Sequence, residues 1–416
     1  MIEYRFDLDS NDFEPEIILK ALRDEISSKK SGYFKLPYDD NILKTVKNLR
    51  EKEPFSSAKN IIVIGVGGSS LGAKAIDHSL RSFIKLERKK ELKELTFLEN
   101  PDPLELLQKV EHIDKSETIF ILISKSGNTV ETMSLFRVLI KFFNIDSRYL
   151  NRNFITISDK ESPLDNFAKK YNIFRFHIPK SVGGRFSVLS SVGIVPLVLA
   201  GYDMDSTILG ARRFLDRFWD KKENHLLRKA HFISSNINKI TSNAIFAYSS
   251  FFDDFNKWYI QLWGESLGKI NKSGKRVGLT PLGLIGSIDQ HSFLQLIMDG
   301  PRDKSVTFIK IKNHPTDFMI PHIFEEELES SSFIDGRTLG ELLNLECDAT
   351  LESLKSVGVP SDMIVLDSLN GENIGELIIY FELLTSAVGV LLEVETYNQP
   401  GVELGKTILK KRAKKL

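Results

Sequence analysis

The chain has 416 residues, a single cysteine (Cys347), and equal numbers of basic and acidic side chains, 56 of each. That length allows two domains with a core each, and the zero net charge argues against a nucleic-acid partner held by bulk charge while leaving a local anion pocket open. A lone cysteine excludes an intrachain disulfide and fits a reducing compartment, and a composition of 42% hydrophobic and 27% charged residues is that of an ordinary soluble globular protein.

Residues 1–7 lack a cationic start followed by an apolar run, so no secretory signal is expected there. Residues 1–55 are rich in charge and read as helices and loops. Residues 60–65 form a short apolar run ending in glycine, the pattern of a buried parallel strand. This run feeds Gly65-Val-Gly-Gly-Ser-Ser-Leu-Gly72 and then a helical pattern through Ala75, Ile76 and Leu80. Further strands are expected at 95–100, 118–124, 154–158 and 173–178. A helix opens with Pro103 in its first turn, and another follows from Thr129 to about Phe143. Strands alternating with helical patterns predict βαβ units and a parallel sheet.

A second module is expected after Tyr202. Residues 203–240 read as helical and 243–249 as a strand; the helical Glu265 stretch, 261–269, follows, with an aromatic-rich segment over 251–263. Strands follow at 306–311 and 363–366. Residues 377–395 read as a long buried helix, interrupted by Glu382 and so not a membrane span. After Asn398-Gln-Pro-Gly401 a basic helix is expected over 402–416, with Lys410, Lys411, Arg412, Lys414 and Lys415 as a solvated end favoured by the helix dipole. The coarse α/β pattern of the two halves permits two related modules.

Six stretches could carry chemistry. Ser124-Lys-Ser-Gly-Asn-Thr129 lies between a strand and a helix. Free amides at the helix start, hydroxyls from Ser124, Ser126 and Thr129, and the small Gly127 suit a phosphate group, although a plain turn with a hydroxyl cap has the same pattern. Gly65-Val-Gly-Gly-Ser-Ser-Leu-Gly72 narrowly misses two nucleotide motifs. Ser70 stands where the dinucleotide fingerprint needs glycine, and Ala73 where the P-loop needs lysine. The Gly68 and Ser69 amides could still approach a sugar or its phosphate. In Gly183-Gly-Arg185-Phe-Ser the glycines leave room for a guanidinium aimed at an oxyanion. Glu265, in Gln261-Leu-Trp-Gly-Glu-Ser-Leu-Gly-Lys269, is a candidate proton-transfer base, and His291, flanked by polar residues, a candidate acid/base near neutral pH. Gln399-Pro-Gly-Val-Glu-Leu-Gly-Lys406 is a rigid turn delivering a lysine to a helix start. No His/Cys cluster has metal-ligand spacing.

In this order, from about Ile61 to Lys406, these blocks resemble the phosphoglucose isomerase (glucose-6-phosphate isomerase) family, as a short bacterial-type member. Gly-Gly-Arg-Phe-Ser and Gln-Pro-Gly-Val-Glu-Leu-Gly-Lys are the most specific. The Ser-Lys-Ser-Gly-Asn-Thr loop also resembles loops of other sugar-isomerase (SIS) domains. The resemblance implies an α/β fold of two SIS-type domains, each with a mainly parallel sheet flanked by helices, plus a C-terminal helical tail. The expected divisions are 1–205 for an N-terminal helical segment and the first domain, 206–390 for the second, and 391–416 for the tail.

The resemblance also implies a reaction. Glucose 6-phosphate and fructose 6-phosphate interconvert, in glycolysis and gluconeogenesis, by ring opening and proton transfer through a cis-enediol(ate). It assigns Glu265 as the base, Arg185 as stabiliser of the enediolate, His291 as the ring-opening residue and Lys406 as its assistant. Ser124, Lys125, Ser126 and Thr129 match the phosphate loop, and Gly68, Ser69 and Gln399 match substrate contacts. No cofactor, metal, nucleic acid or membrane is implied. The expected partner besides the sugar phosphate is a second copy, in a cytoplasmic homodimer that shares its active sites. Departures in the phosphate loop, at Gly127-Asn128, leave a broader specificity open, including mannose 6-phosphate. Rival readings are an SIS-type isomerase of a pentose or amino-sugar phosphate, and a non-catalytic sugar-phosphate regulator. Glu265, Arg185, His291 and Lys406 together argue against the regulator.

Overall fold

A computed structural model describes residues 2–6, 14–87, 91–323 and 325–414. The readings that touch Met1, Asp7 and Lys415 lie outside them. Twelve strands are present among the described residues: β1 (Ile2–Arg5), β2 (Asn60–Ile64), β3 (Glu94–Leu98), β4 (Thr118–Ile123), β5 (Phe154–Ser158), β6 (Phe174–His177), β7 (Ser242–Ala247), β8 (Lys269–Ile270), β9 (Arg276–Val277), β10 (Thr280–Ile285), β11 (Lys304–Asn313) and β12 (Ser361–Ser368).

They build two five-stranded sheets and a small β8–β9 hairpin. The first sheet runs β3-β2-β4-β5-β6, parallel throughout. The second runs β10-β7-β11-β12-β1, parallel except for β1 at its edge. Counted from the first strand of each module, both sheets open in the order 2-1-3-4. The two halves are therefore copies of one doubly wound pattern.

Alternation along the strands explains why the sheets pack as they do. In β2, Ile61 and Val63 join one hydrophobic cluster and Ile62 and Ile64 another. In β7, Ile245 and Ala247 join that same first cluster, whereas Ala244 and Phe246 enter a third. Successive side chains point to opposite faces of a strand. Each sheet therefore turns one face to its own outer helices and the other to a core shared between the modules.

The helix Gly371–Leu391 crosses that shared core, packed on the helices Met204–Trp219, His225–Ser235 and Asp253–Leu267. By length and composition it could cross a membrane, but 89% of its most apolar window is covered by the rest of the chain. It is a core helix of this fold. The closing helix, Glu403–Ala413, is exposed along its whole length.

Four of these strands escape the sequence reading: the two-residue strands β8 and β9 of the hairpin, and one strand at each edge of the second sheet. β1 lies within a stretch read as helices and loops, yet it pairs antiparallel with β12. Four residues are too few for periodicity to register, and the open edge of β12 supplies the pairing. β10 contains Pro281 and Gly283, which weaken a strand signal. It forms the other edge of the sheet, where a proline costs no ladder bond.

Candidate active site

In the first sheet the chain leaves β2 for β3 on one side, and leaves β4 for β5 on the other. The order reverses between β2 and β4, and ligands of doubly wound sheets bind in the crevice outside the carboxyl ends of the strands at such a point. The loops that leave these two strands are Gly65–Gly72 and Ser124–Thr129. The two stretches singled out for anion binding thus flank one crevice.

Ser124 is buried and its hydroxyl pairs with that of Thr129 at 2.9 Å. Ser126 is exposed and donates to Asn128, and Lys125 reaches the Lys180 carbonyl at 3.3 Å. Thr129 precedes the helix Val130–Phe142 without capping it through its side chain. The first-turn amides of that helix therefore keep their donors, as an anion site requires. Gly127 has φ +71°, and a Cβ there would lie 2.7 Å from Ser162 Oγ and 2.8 Å from the Leu164 amide. Only glycine fits this turn without a shift.

Gly68 and Ser69 belong to the first of these loops, and Gly68 sits against the turn Gly184–Phe186. A Cβ at Gly68 would fall 2.3 Å from the carbonyl carbon of Gly184 and 2.7 Å from the Arg185 amide. The glycine loop and the arginine turn touch through bare backbone.

Arg185 is 2% exposed, and five contacts use all five of its N–H groups. Nε donates to Ser266 Oγ at 2.7 Å, and Nη1 to Glu265 Oε2 at 3.2 Å and to Gln399 Oε1 at 3.1 Å. Nη2 donates to the carbonyls of Thr396 and Asn398. Burial lowers the guanidinium's proton affinity, and the Glu265 charge opposes that loss.

Glu265 lies in the last turn of the helix Asp253–Leu267. Gln261, one turn earlier on the same face, donates to its Oε1 at 3.2 Å. Each carboxylate oxygen is thus held by one donor. Sequence reasoning misses Gln261; its place four residues before Glu265 on an expected helix is the available signal. Lys269 escapes it as well. That lysine closes the far side of the site, donating to the carbonyls of Ser266, Glu395 and Asn398.

Beside Arg185 opens a cleft of about 600 Å³, with Glu265, Lys269, Arg276, Glu395, Asn398 and Gln399 in its walls. That lies within the usual range for small-molecule sites. Among the described residues, no group of three or more His, Cys, Asp or Glu side chains is placed to hold a metal ion.

The single chain thus gathers Gly68, Arg185, Glu265 and Gln399. Of the predicted residues only Glu265 and Gln399 are in the cleft walls; Gly68, Ser69, Ser124, Lys125, Ser126, Thr129 and Arg185 are not, and neither are two others. His291 ends the exposed turn Ile288–His291 beyond β10 and does not line the cleft. Lys406 is exposed in the first turn of the helix Glu403–Ala413, paired with Glu403 at 2.7 Å.

Comparison with known proteins gives a consistent result. The Phosphoglucose isomerase family model matches residues 44–416. A glucose-6-phosphate isomerase of Campylobacter jejuni is 43% identical over 390 residues, 94% of this chain and 93% of that protein. One from Rubrobacter xylanophilus is 35% identical over 91% of this chain and 88% of its own. A crystal structure of a hypothetical protein from Thermus thermophilus superposes with a TM-score of 0.88 at 30% identity, covering 99% of this chain and all of the other. A Chlamydia trachomatis glucose-6-phosphate isomerase structure shares the fold, with a TM-score of 0.77 at 22% identity, over 99% of this chain and 80% of that one.

Proposed function

This chain belongs to the phosphoglucose isomerase family and interconverts glucose 6-phosphate and fructose 6-phosphate, an aldose–ketose isomerisation; from that premise we propose that Glu265 moves the proton between C1 and C2 while Arg185 holds the charge left behind. The observation that supports this assignment most directly is the contact between the buried Arg185 and the cleft-lining Glu265.

The electrostatics follow from that contact. At rest, Glu265 is the counter-ion of a guanidinium that water does not reach. When the carboxylate takes a proton from carbon it becomes neutral, and the negative charge passes to the enediolate oxygen. A buried cation left without a counter-ion is costly, so Arg185 favours the state in which the substrate carries that charge. Glu265 then returns the proton to the neighbouring carbon, and the matching hydroxyl proton moves between O1 and O2. Because every N–H of Arg185 is engaged, a substrate oxygen must displace an acceptor to reach it. Gln399 is exposed and is the acceptor most easily displaced, which supports it as a substrate contact.

The phosphate goes to Ser124, Lys125, Ser126 and Thr129, with the Gly68 and Ser69 amides on the sugar. His291 opens the ring, with Lys406 assisting. Both stand away from the cleft of their own chain, so we assign a homodimer in which a partner completes each site. The divisions 1–205, 206–390 and 391–416, and a cytoplasmic place in glycolysis and gluconeogenesis, belong to the same reading.

A coupled assay that converts fructose 6-phosphate to glucose 6-phosphate tests it. Glu265→Gln is expected to nearly abolish turnover while a non-isomerisable sugar phosphate still binds. Equal loss of both would make Glu265 a structural residue.

A further inference from the structure

We propose that Lys269 is a positioning residue that clamps the strap 395–399 over the site and so aims Arg185 and Gln399 at the substrate. An ammonium has three N–H groups. Here Nζ donates to the carbonyls of Ser266 at 3.3 Å, Glu395 at 2.8 Å and Asn398 at 2.7 Å. Nothing is left over for a substrate oxygen, so Lys269 acts through the strap.

The strap is also what Arg185 leans on. Its Nη2 donates to the Asn398 carbonyl at 3.0 Å and to the Thr396 carbonyl. The two cations therefore share the Asn398 carbonyl, and moving it moves both. The next residue, Gln399, accepts from Arg185. A third anchor is Tyr397, whose hydroxyl donates to Glu25 at 2.6 Å and lies 3.1 Å from Ser386 Oγ. With Tyr397 and Arg185 retained, loss of Lys269 leaves the strap attached and frees only its cleft-facing edge.

This clamp is sensitive to pH. Burial, then the charge of Arg185, lowers the Lys269 pKa to about 8, against the pull of Glu395 and Glu265. Arg276 is a further charged group in the wall of the cleft. Above that pH the amine keeps two N–H groups for three carbonyls, and the strap loosens.

The inference rests on the roles given above to Arg185 and Gln399. It is tested by kcat and KM for fructose 6-phosphate from pH 6.5 to 9.5, with melting temperatures, for wild type, Lys269→Met, Lys269→Arg and Arg185→Lys. Lys269→Met is expected to lower kcat at pH 7 about tenfold or more, with KM within about threefold, because the phosphate loop is untouched. Its kcat profile should lack the fall expected of wild type near pH 8. Lys269→Arg keeps a charge and donors at every pH tested, so it should recover most of kcat and move that fall beyond pH 9.5. Lys269→Met within threefold of wild-type kcat would overturn the proposal, as would Lys269→Arg no better than Lys269→Met, or a fall near pH 8 that persists in both. A lower melting temperature with unchanged kcat would reduce Lys269 to a stabilising residue. If Arg185→Lys is as active as wild type, the reading of the site itself fails. If Arg185→Lys is impaired and Lys269→Met is not, only the role of Lys269 falls.

Discussion

Arg185→Lys puts the same charge in the same place and removes the fork. The guanidinium reaches Ser266 Oγ from Nε, Glu265 and Gln399 from Nη1, and the carbonyls of Thr396 and Asn398 from Nη2. A lysine offers three donors from a single point, so at least two of the five acceptors lose their partner. Ser266 and Thr396 are fully buried, and water cannot replace the missing donor there. Each buried acceptor left unpaired costs about 1–3 kcal/mol, which sets the expected loss of stability at roughly 2–6 kcal/mol, felt in the strap and the helix Asp253–Leu267. On the chemical step, losing one well-placed oxyanion donor costs about 2.7–4 kcal/mol, or about 10²–10³ in kcat. The assay is steady-state conversion of fructose 6-phosphate, coupled to detection of glucose 6-phosphate, alongside a thermal melt. A kcat within threefold of wild type would refute the argument, because the fork would then be dispensable. A rise in KM with kcat unchanged would also refute it, because that pattern marks uniform binding.

The remaining predictions use the same assay or a stability measurement. Glu265→Gln should lose about 10²–10⁴ in kcat, the typical contribution of a positioned base, while binding of a non-isomerisable sugar phosphate changes less than threefold. Gly68→Ala drives a methyl into the Gly184 carbonyl at 2.3–2.5 Å, so it should cost about 1–3 kcal/mol of stability in a melt and lower kcat by shifting the Arg185 turn. Unchanged kcat would show that the turn absorbs the methyl. If sites are shared between copies, mixing inactive Glu265→Gln with inactive His291→Ala should restore activity, since each mixed dimer regains one complete site; no recovery after subunit exchange would exclude sharing. His78 lies 3.2 Å from Asp254, on the helix Asp253–Leu267, and contact with that carboxylate raises the His78 pKa above its ordinary 6.5. The folded state thus holds the proton more tightly. The stability it gives is complete below about pH 6.5 and is lost as pH rises through the raised value. Urea midpoints should fall between pH 6 and 8.5, and His78→Phe should flatten that fall.

The legible parts of the fold were those with local signatures. The apolar runs behind β2, β4, β5, β7 and β11 mark strands buried on both faces, and the glycine- and serine-rich loops after β2 and β4 carry anion chemistry in their own sequence. Edge strands were harder. β1 is four residues whose partner lies more than 350 positions away, and β10 is disguised by Pro281 and Gly283. Within the site, Glu265 has no local mark that separates it from a surface carboxylate. Its distinction comes from Arg185 and Gln399, which only folding brings beside it. Lys269 looks like a solvated lysine until folding brings the carbonyls of Ser266, Glu395 and Asn398 around its ammonium.

The positions of Glu265 and His291 follow from one crossover. The helix Asp253–Leu267 leaves the carboxyl end of β7 and runs back to feed β10, which lies parallel to β7. Its last turn must therefore reach the amino end of β10, and a Cβ on Gly264 would indeed sit 3.7 Å from the ring of Pro281. The turn with His291 starts from the other end of the same strand, where Asp289 accepts the Ile285 amide at 2.7 Å. Pro281 and Ile285 are four residues apart, about 13 Å along a strand. Base and histidine are thus set at opposite ends of β10, while a proton relay to a sugar held at Glu265 needs hydrogen-bond reach or one water. Bending the strand would break its pairing with β7, so flexibility within the chain is a poor remedy. The proposed second copy, presenting its own His291, would meet the distance requirement without disturbing either sheet. If that separation is bridged between copies as proposed, activity returns when two differently disabled chains are mixed.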